Sequence, residues 1–218
     1  MGHSLSGAGT GAVGIVKEVD KNREVGNKLI AMLREKGHTV INCTVDSASS
    51  TTAQLQGITK KANAQKLDLF ISLHLNSFNG QAYGVETYTY LGARATTKET
   101  ANRIQSKLVA NIGWYNRGVK EQNFHVLRET VAPAILVELG FCDSKRDMDL
   151  WNADKIAKAL FEGITNTVYT PPAPPASSTG NTMFRVVAGT YSDRANAEAQ
   201  QAKLKKAGFD SFLVAYNK

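Results

Sequence analysis

The sequence predicts an α/β fold in which a mostly parallel or mixed sheet is flanked by helices, followed by a small α+β unit. Two observations indicate this class: segments with a helical period of apolar residues alternate with short strand-like segments, and a proline-rich segment sets off the C-terminal end. The chain has 218 residues, of which 42% are hydrophobic. It can therefore bury one full core and still carry a smaller unit.

The N-terminal third predicts a loop, two helices and a strand. Five glycines within residues 1–14 indicate a loop whose backbone folds closely around something. Apolar residues at helical spacing predict a helix over 19–36, and Gly37 is placed to end it. Residues 38–43 predict a strand, and residues 52–65 predict a second helix.

Residues 67–76 predict the central strand. Five aliphatic residues alternate there with polar or aromatic ones, so one face of the strand is expected to be buried. His74 and Asn76 then lie on the opposite face, just before the turn-forming residues 77–80. Open α/β sheets bind their ligands at this carboxyl edge.

The rest of the larger domain continues the alternation. Residues 84–90 predict a strand, residues 97–112 a helix, and the continuous apolar run at 134–139 a strand that is covered on both faces. Helices predicted at 145–151 and 154–168 close the domain.

Four of the five prolines lie in residues 169–182, which predicts a linker. The domains are therefore predicted at 1–168 and 183–218. Within the second, the pattern predicts a strand at 184–188, a helix at 193–207 and a strand at 211–216.

The net charge of +7 favours an anionic partner, such as nucleic acid, an acidic membrane surface or a cell-wall polymer. The basic residues are scattered without a run of five, so no nucleic-acid partner is predicted. The sequence also lacks an apolar run near twenty residues, so we expect no membrane insertion. It lacks an export signal as well, so we expect the protein to be made in the cytoplasm without a signal peptide. Cys43 and Cys142, 99 residues apart, are interpreted as small apolar fillers.

Four residues are candidates for a hydrolytic metal site, which needs about three protein ligands and a nearby carboxylate. They are His3, Glu18, His74 and Glu138. The alternatives are a disordered terminus for His3, a first-turn helix acid for Glu18 and a hydrogen-bonded strand residue for His74. Glu138 follows three apolar residues, where an ionised carboxylate would be costly to bury without a partner.

These residues also carry a resemblance. The Gly2-His3 pair, Glu18, the motif Ser-x-His-x-Asn at 72–76 and the motif Pro-Ala-x-Leu-Val-Glu-x-Gly-Phe at 133–141 resemble the zinc-dependent N-acetylmuramoyl-L-alanine amidases of the Amidase_3 type. The resemblance covers residues 2 to about 168 and implies a phosphorylase/hydrolase-like fold. It implies zinc held by His3, Glu18 and His74, with Glu138 as the catalytic acid/base. Glu18 is preferred to Glu24 because of its spacing to the helix core.

What this resemblance implies is a peptidoglycan hydrolase that cleaves the amide bond between N-acetylmuramic acid and L-alanine. Asn76, His125 and Arg128 are further candidates for lining the substrate groove. The family has an apolar strand before its Gly-His pair, whereas only Met1 precedes it here. Either that strand is missing from this sequence, or the loop finds another anchor.

The C-terminal segment resembles half of a SPOR peptidoglycan-binding module, on the motif at 184–191 and on residues 197–209. Half a module leaves an apolar face uncovered, so the tail is expected to be mobile, to self-associate or to continue in a longer chain.

Two other functions remain open. One is a zinc carboxypeptidase or aminopeptidase, and the other is a non-catalytic cell-wall-binding protein. As an amidase, the protein would act on the wall after lysis or release, as a phage endolysin or as an autolysin of a spore former.

Overall fold

The computed structural model describes residues 1–172 and 187–215. The chain divides into two compact units, Met1–Thr170 and Pro171–Lys218. The elements of the larger unit are β1 (Ser6–Gly7), α1 (Glu18–Glu35), β2 (Ser47–Ala48), α2 (Thr51–Asn63), β3 (Phe70–Asn76), β4 (Val85–Thr89), α3 (Ala95–Ile112), β5 (Asn116–Glu121), α4 (His125–Arg128), β6 (Ala134–Phe141), α5 (Lys145–Asp149) and α6 (Ala153–Thr165).

A four-stranded mixed sheet in the order β3-β6-β4-β5 forms the centre of this unit. β6 runs parallel to β3 and antiparallel to β4, and β4 runs parallel to β5. β1 and β2 form a separate short parallel pair. Helices flank the sheet, so the predicted α/β class with a mixed sheet is confirmed.

One face of the sheet is covered along its whole length. Leu73 and Leu75 of β3 pack there with Ile135 and Val137 of β6, in a core that α1, α3 and α6 complete. The period of two in the central strand therefore predicted the buried face correctly.

Within the described residues, helices cover the opposite face over the first half of β3 and β6. There Phe70, Ala134 and Leu136 pack against residues of α2 and α4. Further along the same face, His74 and Glu138 are half-buried. The polar site described below lies at this second half of the face.

The strand predicted at 38–43 is wrong, because this segment forms no ladder with any strand in residues 1–172 and 187–215. Its side chains are mostly exposed, and the carbonyl of Val40 accepts a hydrogen bond from the Arg34 side chain. A strand needs a neighbour as well as β-prone residues. Conversely, β5 was missed, because its sequence is polar and lacks an apolar alternation.

The described part of the smaller unit contains α7 (Arg194–Lys206), capped by the Asp193 carboxylate, which accepts from the Ala195 amide. Of the predicted strand at 184–188, residues 184–186 lie outside the described residues, and 187–188 are not in a strand. Residues 211–215 are not in a strand either, so that prediction is wrong where it can be compared. None of the helices described in residues 1–172 and 187–215 is long and apolar enough to cross a membrane.

Packing of α3 against α6 gives a stability prediction. A Cβ added at Gly163 would lie 2.6 Å from the Ile104 Cα and 2.9 Å from its backbone nitrogen, so Gly163→Ala must push the two helices apart. We expect it to lower the free energy of unfolding by about 1–3 kcal/mol in urea denaturation. The control is Gly57→Ala in α2, whose Cβ would meet only the end of the Val45 side chain, at 3.0 Å. An equal loss in both variants would contradict the steric explanation.

Candidate active site

His3, Glu18 and His74 meet at one point, although they come from the N-terminal loop, the start of α1 and β3. Oε1 of Glu18 lies 2.9 Å from Nε2 of His3 and 3.1 Å from Nδ1 of His74. The two histidine nitrogens are 3.1 Å apart. All three potential ligand atoms lie within 4.8 Å of one another, so they can share one metal ion.

The N-terminal loop has its own anchor. The Gly2 amide donates to the Leu73 carbonyl of β3 at 2.9 Å, and the Arg23 side chain donates to the His3 carbonyl at 2.9 Å. His3 has a φ of +64°, a conformation that is uncommon for a residue with a side chain. These contacts fix the loop against β3, which is an edge strand of the described sheet.

Glu18 is buried at the first position of α1, where its carboxylate accepts from the Ala12 amide at 2.9 Å and from the Leu75 amide at 3.0 Å. Burial alone would raise the pKa of Glu18, but hydrogen bonds from His3 and His74 outweigh it and hold the pKa well below its usual value. Gly11, with a φ of +79°, lets the loop pass: a Cβ there would lie 2.8 Å from Glu18 Oε2. Glu24, the rejected alternative, instead pairs with Lys21 at 2.9 Å on the surface.

Both histidines are oriented by their outer ring nitrogens. Nδ1 of His3 lies 3.1 Å from the Gly9 carbonyl, and Nε2 of His74 lies 3.0 Å from the Ser72 hydroxyl. In the tautomer with its proton on the outer nitrogen, each ring would present the lone pair of its inner nitrogen to a metal ion in place of the hydrogen bond to Glu18. Burial also lowers the pKa of His74, which favours its neutral form.

Glu138 lies on the strand next to His74, and the two are register partners between β3 and β6. Oε2 of Glu138 is buried and has no hydrogen-bond partner among the described residues. Burial raises the pKa of Glu138 well above its usual value, and the negative charges of Glu18 and Glu86 raise it further. A carboxyl group with a raised pKa beside a potential metal site is suited to proton transfer near neutral pH.

Sequence reasoning missed Glu86, which is only 2% exposed. It is the register partner of Glu138 between the neighbouring strands β4 and β6. Its Oε1 accepts from the Asn76 side chain at 2.5 Å, and its Oε2 bonds both Arg117 and Lys120. The pattern that identified Glu138, a carboxylate inside a predicted strand, could also have identified Glu86.

Of the three groove candidates, only Asn76 lies beside the site. His125 and Arg128 are on α4, at a surface groove lined by α2 side chains, among them Thr59 and Lys60.

The Amidase_3 family, described as N-acetylmuramoyl-L-alanine amidase, matches residues 1–169. The chain belongs to this amidase family. The amidase is 29% identical over 213 residues to N-acetylmuramoyl-L-alanine amidase CwlM of Bacillus licheniformis, across 98% of the chain and 82% of CwlM. It is 32% identical over 167 residues to the endolysin of Bacillus phage SPP1, across 74% of the chain and 60% of the endolysin.

Among solved structures, the amidase resembles the catalytic domain of the CD27L endolysin targeting Clostridia difficile. The TM-score is 0.70 at 33% identity, and the match covers 78% of this chain and 96% of that domain. The SPOR domain matches residues 152–215. The protein is thus an N-acetylmuramoyl-L-alanine amidase that hydrolyses peptidoglycan, which is also its binding target.

Proposed function

We propose that this amidase cleaves the bond between N-acetylmuramic acid and L-alanine with a zinc ion held by His3, Glu18 and His74, and with Glu138 as the general acid/base. The observation that carries the proposal is the convergence of these three side chains beside a carboxylate oxygen of Glu138 that no described residue bonds. Each residue alone has an ordinary structural explanation, but a shared meeting point does not follow from any of those explanations.

The three side chains fit zinc in chemistry and in spacing. Two imidazoles and one carboxylate form a common ligand set of hydrolytic zinc sites, in which the fourth position stays open. Tetrahedral bonds of about 2.0–2.1 Å put neighbouring ligand atoms roughly 3.3 Å apart. The observed separations of 2.9 to 3.1 Å are within a few tenths of an ångström of that value.

The roles of the residues follow from their placement. A zinc ion bound there would supply a Lewis acid that acidifies water and polarises the scissile carbonyl. Glu138 accepts the proton of the attacking water and delivers it to the nitrogen of the departing L-alanine.

We further propose the organisation 1–168 for the catalytic domain, 169–182 for the linker and 183–218 for a SPOR-like segment that binds the wall. The match of the SPOR domain supports a wall-binding role for the tail. Exposed apolar side chains at Phe209 and Phe212 are available for self-association of the tail, which stays a prediction. The absence of a nucleic-acid partner and the arrival of the enzyme at the wall after lysis or release also stay predictions.

The experiment that tests the mechanism is digestion of purified cell walls by native protein, chelated protein and chelated protein given back zinc. We expect new L-alanine amino termini without new reducing sugar ends, a loss of at least about a hundredfold on chelation, and recovery with zinc. Free amino acids as the main product would indicate a peptidase. Wall binding without turnover, unaffected by chelation, would indicate a non-catalytic protein.

A further inference from the structure

Strand β5 presents two cations beside the candidate active site. Arg117 and Lys120 both bond the same atom, Oε2 of Glu86, and the Arg117 Nε lies 3.0 Å from it. Residues three apart in a regular strand point to opposite faces. Here the register between β4 and β5 shifts, since Val85 pairs with Asn116 but Thr87 with Val119.

The extra residue is accommodated at Gly118, which has a φ of +86°. A bulge of this kind re-aims side chains, and bulges are frequent beside active sites. Here it brings Arg117 and Lys120 to the same face of the sheet. A strand that served only to end the sheet would not need two cations on one face.

Aromatic rings hold the two cations in place, and Glu86 neutralises only part of their charge. The Arg117 guanidinium lies 5.0 Å from the Phe141 ring centre, and the Lys120 ammonium 5.9 Å from that of Tyr88. Their side chains are 32% and 42% exposed, whereas that of Glu86 is 3% exposed. Two positive charges face one buried negative charge, so the group keeps a net charge of +1 toward solvent.

The sheet register indicates how far Arg117 and Lys120 lie from Glu138, the candidate acid/base. The register places His74 beside Glu138, Glu138 beside Glu86, and β5 on the far side of β4. Neighbouring strands are about 4.8 Å apart, so the cations lie roughly 5–10 Å from Glu138. An extended peptide advances about 3.3–3.6 Å per residue, so this distance corresponds to roughly one to three residues from the scissile bond, a range that includes the residue after L-alanine.

We propose that Arg117 and Lys120 bind the free carboxylate of the second residue of the stem peptide, and so make this amidase prefer walls in which that carboxylate is not amidated. The lactyl carboxyl of muramic acid is consumed in the scissile amide, so free carboxylates occur only on the peptide side. The cations therefore also orient the substrate, with its peptide toward β5 and its glycan away from it. The proposal rests on the amidase activity and concerns the same site.

The test compares two soluble substrates, an acid and an amide, with native protein, Arg117→Gln and Lys120→Gln. The acid is N-acetylmuramoyl-L-alanyl-γ-D-glutamyl-L-lysine amide, and the amide has D-isoglutamine as its second residue. The γ-carboxyl is in a peptide bond in both, so they differ only in the free α-carboxylate of that residue. Charge-assisted hydrogen bonds predict a native preference in kcat/KM of about tenfold or more for the free acid, mainly through KM. Each variant should lower kcat/KM for the acid by about ten- to a hundredfold and change that for the amide by less than about threefold. Arg117→Lys should restore part of the preference.

The matched control is Lys98→Gln. Lys98 is 43% exposed and also pairs with a β5 carboxylate, that of Glu121, so its removal changes the charge by the same amount. The control should keep the native preference. A native enzyme without preference, or variants that lose the same factor on both substrates, would overturn the proposal. Inactivity of the native enzyme on both substrates would instead count against the amidase mechanism.

Discussion

Glu138→Gln is expected to lower the rate of L-alanine release from purified walls by about two to four orders of magnitude. Glutamine keeps the size of the side chain but cannot accept the proton of the attacking water. It also removes a carboxyl group that is costly to bury, since Oε2 has no hydrogen-bond partner in the described part of the chain and the charges of Glu18 and Glu86 oppose its ionisation. We therefore expect the variant to fold at least as stably as the native protein and to retain zinc.

This combination of lost turnover with retained folding and metal content separates catalysis from structure. The control is Glu121→Gln, which makes the same change at an exposed carboxylate on β5 and should leave the rate nearly unchanged. Activity of Glu138→Gln within about tenfold of native would show that another group transfers the proton.

Each candidate ligand occupied a position that the sequence could indicate, but their meeting at one metal ion was implied only by the family resemblance. The alternation around His74 gave the strand and its exposed face, and the apolar run before Glu138 gave its neighbour in the sheet. The position of His3 depends instead on single backbone contacts, such as that from Gly2 to Leu73. Such contacts leave no periodic trace in the sequence.

The polar half of the site was the harder part to predict. β5 has no apolar face, because it lies at the edge of the sheet and binds Glu86 through charged side chains. The segment at 38–43 gave the opposite error, since its β-prone residues pair with none of the described strands. Both errors have one cause: strand formation depends on the neighbour, and a local pattern does not reveal the neighbour.

Glu18→Gln is expected to abolish zinc binding, reducing bound metal from about one ion per chain to a small fraction, with activity falling by at least about a hundredfold. The substitution removes the negative charge that faces both histidines, while an amide oxygen can still accept from the Ala12 or Leu75 amide. Metal content after gel filtration measures the first effect. Thermal unfolding with and without zinc gives an independent readout, because a ligand at a hundred times its Kd stabilises the folded state by about 2.7 kcal/mol.

Glu24→Gln is a matched control for this experiment, because it makes the same change six residues further along α1, at an exposed carboxylate that pairs with Lys21. It should bind zinc, gain thermal stability from it and cleave walls as the native protein does. Glu18→Gln should lose all three properties together, since one site accounts for them. If Glu18→Gln bound zinc as tightly as Glu24→Gln does, the convergence of His3, Glu18 and His74 would be a hydrogen-bonded cluster that holds the N-terminal loop on β3, and the metal would have to bind elsewhere.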